Sequence, residues 1–285
     1  MPRWEVVTLR RRALAWLALP FFISAACSKA LNYADPSGPR YEGRFAGLDP
    51  DPALRIVTFN IKFSREIDRA IELFERNHDL QNPDIIALQE MNNAGVERIA
   101  RALGMSYVYY PSAFHPQASG DFGCALLVKG PIEADHKLFL PHVGRFRHLL
   151  RAAVAADVVV DGIRLRAYSV HLETAIQISA SERRDQLRAI VADADRYPGP
   201  VVIAGDFNSR DVVSEVLGGA GFQWVTRDAG HTISFFAWDH VFVRGLVLKA
   251  PPRKGIVFNN NGASDHLPVW AELLPQGAAA ARTGP

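Results

Sequence analysis

Cysteine is almost absent from the chain, which has two in 285 residues, Cys27 and Cys124. That excludes a disulfide scaffold and a cysteine-rich zinc module. Net charge is scarce too. Lys and Arg number 32 against 30 Asp and Glu, and charged residues make up 22%. Neither a long disordered chain nor a coiled coil fits this composition. The apolar run Ala13–Ile23 falls short of the ~20 residues that a membrane-spanning helix needs. No internal repeat shows in the pattern, and low-complexity sequence is confined to the tail from Gln276. What the chain does have is a hydrophobic content of 48%, enough for one large domain with a real core or two small ones. Its 21 Gly and 18 Pro predict frequent turns between short strands.

The small positive balance is concentrated at the start. Arg3, Arg10, Arg11 and Arg12 precede the apolar run, and Ser24-Ala25-Ala26-Cys27 follows it. A basic region, a short apolar region and small residues at a cleavage site make residues 1–26 an expected signal peptide. Cys27 directly after Ala26 is the expected lipid-attachment site of a bacterial lipoprotein, although Ser24 stands where such signals usually carry Leu. Plain cleavage after Ala26 is the rival, and the paired arginines also fit a twin-arginine signal. The expected location is the cell envelope, by a lipid anchor, or else the periplasm or exterior. Four Arg and one Glu leave with residues 1–26, which moves the remaining chain from +2 to −1. The basic balance therefore belongs to the export signal and is no argument for nucleic-acid binding.

Residues 27–53 are rich in Pro, Gly and Tyr and read as a tether or extended lead-in. From 54 to 275 the pattern is that of one domain. Arg55–Ile61, Asp84–Leu88, Tyr107–Tyr110, Cys124–Val128 and Ile132–Leu138 read as strands. Ala152–Val160 and Ile163–Val170 flank Asp161-Gly162, the strongest hairpin signal in the chain. Val201–Ala204, Val241–Leu248 and Leu267–Leu274 complete the strands. Glu66–His78, a stretch near Val96–Leu103 and Ser181–Asp195 have helical periodicity. Residues 276–285 read as a disordered tail. Many strands interleaved with a few helices predict an α/β sandwich, two sheets face to face with helices outside.

Several strands end in polar residues that a core would not choose. These are Asn60 (FNI), Gln89 and Glu90 (LQE), His171 (VHL), Asp206 and Asn208 (GDFN), and Asp265 and His266 (SDH). Trp238–Phe242 (WDHVF) holds Asp239 and His240. Each motif alone has an ordinary explanation. Asp-Phe-Asn after a strand is usually a turn, and Ser-Asp-His often caps a helix. Together, in this order, they resemble the endonuclease/exonuclease/phosphatase superfamily, the deoxyribonuclease I-like fold, from Leu54 to about Leu274. The Gly123–Val128 strand, Arg151 and the Arg183/Gln186 pair fall where that family has similar features, while Cys124 replaces a common Asn.

The resemblance implies a four-layer sandwich of two packed mixed sheets flanked by helices. It also implies a Mg2+-dependent phosphoesterase, with Mn2+ as an alternative, in which water attacks a phosphodiester or a phosphomonoester. Asn60, Glu90 and Asp265 would be the metal ligands, Asp265 directly or through water. Asp206 would orient or deprotonate the water. His171 and Asn208 would donate to phosphate oxygens, and Asp239 would orient His266, the general base or phosphate-polarising acid. Arg151 would contact phosphate or support Glu90, with a surface salt bridge as the plain alternative. Arg183 and Arg184 are expected on a solvated helix face, His240 in strand packing and His231 near the site, while the locally basic Arg145–Arg151 is expected either to touch an anionic substrate or to lie in a solvated loop. Cys124 is expected as a buried thiol, or paired with Cys27 if that residue stays unmodified. The substrate is left between nucleic acid and phospholipid or inositol phosphate, and a monomer is expected. The contrasting reading is a non-catalytic, envelope-anchored binding module of the same fold.

Overall fold

The computed structural model describes residues 29–45 and 53–276. The expected signal peptide, Cys27 and the tail beyond Gln276 lie outside the described residues. The chain opens with two short strands, β1 (Leu31–Asn32) and β2 (Tyr41–Gly43), then β3 (Leu54–Asn60) and helix α1 (Ile67–Arg76). Next come β4 (Ile85–Met91), α2 (Asn93–Leu103), β5 (Ser106–His115), β6 (Gly120–Val128) and β7 (Ile132–Phe139). The hairpin β8 (Ala152–Val160) and β9 (Ile163–His171) leads into α3 (Ala180–Ala194), β10 (Val201–Asp206) and α4 (Asp211–Gly219). The last strands are β11 (Gln223–Trp224), β12 (Asp239–Arg244), β13 (Leu246–Leu248), β14 (Lys254–Ile256) and β15 (Val269–Pro275).

These strands form two mixed sheets. One runs β1-β5-β6-β4-β3-β15-β13, with β2 also on β5 and β14 on β15; the other runs β11-β12-β10-β9-β8-β7. The pairs β3/β4 and β9/β10 are parallel, and the rest are antiparallel. Side chains alternate across each strand, so one strand feeds two cores. In β4, Ile85 and Ala87 enter the core between the sheets, while Ile86 and Leu88 pack under α1 and α2. In β10, Val202 and Ala204 face the other sheet, while Val201 and Ile203 pack under α3 and α4. Four layers follow, two helical and two of sheet, as the sequence led one to expect.

The structure adds to or departs from the expectations at three points. The lead-in is more than a tether, because Leu31–Asn32 and Tyr41–Gly43 both hydrogen-bond to β5 and cover its open edge. Buried Lys137 secures the turn between them, donating to the carbonyls of Tyr33, Asp35 and Gly38. Residues 241–248 are not one strand. Gly245 has φ +73°, and at that left-handed residue the chain leaves β12 in one sheet and enters β13 in the other. Helix α4, which was not anticipated, packs Val213 and Leu217 onto the second sheet.

Candidate active site

The topology brings one set of strand ends together. β3, β4, β9 and β10 finish at the same edge of the sandwich where β6, β8, β12 and β15 begin. A cleft of about 310 Å³ opens there. Gly205 lets β9 and β10 meet just before the site: a Cβ at that position would lie 2.0 Å from the Val170 carbonyl oxygen. Asp206 follows and turns into the cleft's floor. The β4/β6 register slips between Leu88 and Met91, and at that bulge Glu90 adopts φ +59°. A non-glycine residue in this region costs of order 1–3 kcal/mol, and here the bulge directs a carboxylate into the cleft.

Asp206 is the hub. Asn60 Nδ2 donates to its Oδ2 at 3.0 Å, and His171 Nε2 and His266 Nε2 lie 3.4 and 3.7 Å from the same oxygen. Its other oxygen accepts from the Asn208 backbone N–H at 2.9 Å. Burial, reinforced by the charge of Asp239, raises the Asp206 pKa above the carboxylate range. Asn208, in a left-handed conformation at φ +46°, spends one side-chain N–H on the Leu172 carbonyl at 3.0 Å. The Asp-Phe-Asn segment is thus both the turn its composition suggests and part of the cleft lining.

The two histidines are held differently. Asp239 Oδ2 accepts from His266 Nδ1 at 2.8 Å. Burial alone would lower the His266 pKa, but the charges of Asp239 and Asp206 outweigh it and lift it to about 10. His171 Nδ1 faces Arg151 Nη1 at 2.9 Å. A guanidinium only donates, so Nδ1 accepts, the ring is neutral and its proton sits on Nε2, toward Asp206. Burial and the Arg151 charge push the His171 pKa well down. Arg151 is in turn clamped by Glu173, with Nε to Oε2 at 3.3 Å and Nη2 to Oε1 at 3.1 Å, and packs over Phe122.

The residues expected to hold a cation offer only oxygen ligands, which suits a hard divalent ion. Asn60 Nδ2 lies 3.4 Å from Glu90 Oε1, and Asn60 Oδ1 is buried with no hydrogen-bond partner among the described residues. Burial raises the Glu90 pKa against the opposing charges of Arg151 and His266. An orphaned amide oxygen beside an under-compensated carboxylate fits a bound cation. Asp265 stands on the rim, 43% exposed and bonded to Lys62 Nζ at 2.8 Å. Asp206, Asp239 and His266 also bring one ligand atom each within 4.8 Å of one another. The Asp239–His266 hydrogen bond engages one polar atom on each of these two residues, while Asp239 Oδ1 is buried without a hydrogen-bond partner among the described residues, so this trio is a second place where a cation could sit.

The structure therefore gathers Asn60, Glu90, Arg151, His171, Asp206, Asn208, Asp239 and His266 into one contiguous network, with Asp265 at its mouth. Arg151 is no surface salt bridge; it is 6% exposed. Arg183 is not solvated either: it is buried and donates to the Ile178 carbonyl at 3.3 Å, while Arg184 pairs with Glu215 on the outside. His231 is exposed and does not line the cleft. His240 packs against Trp224 and Phe207, as expected. Cys124 is a buried thiol with no disulfide partner among the described residues, and a pairing with Cys27 lies outside them. Sequence reasoning missed Glu173, Lys62, Phe122 and His115. Glu173 stands two positions after His171, and only the fold puts Arg151 beside it.

Residues 57–266 match the model of the Endonuclease/Exonuclease/phosphatase family. The chain is 26% identical over 232 residues to a UPF0294 protein of Vibrio campbellii, covering 78% of each chain. An endonuclease/exonuclease/phosphatase from Beutenbergia cavernae superposes with a TM-score of 0.65 at 19% identity, covering 79% of this chain and 72% of that one. Danio rerio TDP2, solved with a single-strand DNA product, superposes at 0.62 with 20% identity over 78% of this chain and 99% of its own. At such identities the two structures speak for the fold.

Proposed function

The chain belongs to the endonuclease/exonuclease/phosphatase family, and from that premise we propose that it is a divalent-metal-dependent phosphoesterase that hydrolyses phosphodiesters with water. The observation that carries this reading is the position of Asp206, buried among Asn60, His171 and His266 at the floor of an open cleft that also holds Glu90. A magnesium ion at Asn60 and Glu90, with Asp265 reaching it directly or through water, would neutralise phosphate charge that otherwise repels a nucleophile. Manganese is the alternative.

The remaining steps fall to the chain's own groups. Asp206, with its raised pKa, is basic enough to accept a proton from an attacking water as attack proceeds. His171 offers a neutral Nε2–H, and Asn208 keeps a second amide N–H, so both can donate to phosphate oxygens as charge builds. His266, held cationic by Asp239, places positive charge at the cleft and has a proton to give to the departing oxygen. Arg151 supports His171 from behind, and its buried charge favours an anion in the cleft.

The test is release of p-nitrophenol from bis-p-nitrophenyl phosphate with Mg2+, with Mn2+ and with EDTA. Turnover that EDTA abolishes and added metal restores is expected. Glu90→Gln should weaken metal binding by calorimetry and leave the circular dichroism spectrum unchanged. Folded wild-type protein with no turnover under either metal would sink the enzyme and favour a binding module.

A further inference from the structure

Among the described residues, every large apolar side chain left exposed lies at the active edge of the sandwich. Leu31 and Phe114 are register partners where β1 meets the end of β5. Val143 and Phe146 belong to the loop that enters β8, and Ile176 to the loop that leaves β9. Phe235 and Phe236 form a tight turn before β12, closed by the Ile233–Phe236 bridge. Phe258 follows β14 in the loop that leads to the Ser264–His266 segment. Phe235, Ile176 and Leu31 are 81%, 73% and 67% exposed. The opposite edge, where the Asp161-Gly162 hairpin turns, carries ion pairs instead, Arg164 with Glu133 and Arg244 with Asp195. Exposed apolar side chains gathered on the edge that holds a polar cleft, with Ile176 on the cleft wall itself, are not a solubility pattern.

We infer that this rim docks on a lipid bilayer surface, so that the cleft takes phosphoesters presented at the interface; the second clause rests on the phosphoesterase reading, the first does not. Three observations select a bilayer over other occupants. The side chains come from separate loops and mix aliphatic with aromatic, which suits insertion among acyl chains and not a platform of stacked bases. Arg147, at the same rim, bonds to Gln117 and His115 through Nη1 and has no carboxylate partner among the described residues, so its charge is not neutralised there and suits anionic headgroups. The chain also enters the domain here. Ala30 N–H bonds to the Arg147 carbonyl, and Leu31 lies four residues beyond Cys27, a reach of at most ~14 Å. A lipid on Cys27, or a retained apolar leader, would hold this edge against the membrane and no other.

The test places an environment-sensitive dye on the full chain. Cys27→Ser leaves Cys124 as the sole cysteine, and that thiol is buried. Phe146→Cys, Phe235→Cys or Asp161→Cys then carries the dye. With vesicles of phosphatidylethanolamine and phosphatidylglycerol, emission at 146 and 235 should shift to the blue and rise severalfold, while 161 stays unchanged. Rim dyes that stay silent, whether or not the protein sediments with the vesicles, overturn the docking surface. A response to a single-stranded oligonucleotide and none to vesicles overturns it in favour of nucleic acid. Turnover of bis-p-nitrophenyl phosphate in the same samples separates the two readings: activity with silent dyes removes only the docking, and responding dyes without activity remove only the enzyme.

Discussion

His171 and His266 both approach one oxygen of Asp206, at 3.4 and 3.7 Å, and both are buried, yet their surroundings drive them to opposite protonation states. Behind His266 stands a carboxylate, Asp239; behind His171 stands a guanidinium, Arg151. The same imidazole thus becomes a cation in one place and a neutral donor in the other. Burial lowers both pKa values, so desolvation cannot explain the difference. The sign of the group at Nδ1 decides it. One side of the cleft supplies charge and a transferable proton, and the other supplies a hydrogen bond that does not change with pH near neutrality.

The comparison can be broken at its centre first. Asp206→Asn removes the shared partner and the proposed proton acceptor, and kcat should fall on the order of 10³-fold, within the span of general acid–base effects. A fall below tenfold at saturating metal would mean that the proton goes elsewhere. His266→Ala should cost roughly 10²-fold or more and flatten the alkaline limb of the pH–rate profile. An unchanged profile would contradict its role as the acid.

Glu173→Gln tests the other side. It leaves Arg151 buried without its counter-charge, a change that typically costs ~3–5 kcal/mol, so the melting temperature should drop. Nitrogen-15 spectra of the labelled histidines should show the Nε2–H tautomer of His171 giving way to a mixture. Retention of the wild-type tautomer at full occupancy would show that Glu173 does not position the pair.

The mildest effect is on the pH dependence of stability. His266 has a folded pKa raised to about 10, so its contribution is complete below the unfolded value near 6.5 and is lost as pH rises toward 10. His171 is depressed, so its contribution is present above ~6.5 and fades as pH falls below it. His115, pushed down to about 4 mainly by burial, adds to the acid loss. Thermal melts from pH 4 to 10 should show His171→Gln blunting the acid decline and His266→Gln blunting the alkaline one. Identical slopes in both variants would remove the contrast.

Much of this was legible in the chain. The unbroken apolar runs Ile85–Leu88 and Val201–Ala204 mark strands buried on both faces, and polar residues after each run mark where the strands stop. The motif order was enough to nominate Asn60, Glu90, His171, Asp206 and His266 for one site. Other features had no local signal. Arg183 looks solvated in a sequence of alternating charge, yet it faces inward on α3. Gly245 looks like any turn glycine, but there the chain changes sheets. Exposed Phe235 and Ile176 are unremarkable as letters and acquire meaning only from sharing an edge.

The sequence by itself determined the layered architecture and the cast of polar residues, because side-chain alternation and turn chemistry act between near neighbours. The tertiary structure alone decided which histidine is charged, which arginine is buried and where the apolar rim lies. Those properties are set by the field and the desolvation that groups such as Arg151, Asp239 and Asp206 impose across a few ångströms of space, while they stand tens of residues apart along the chain.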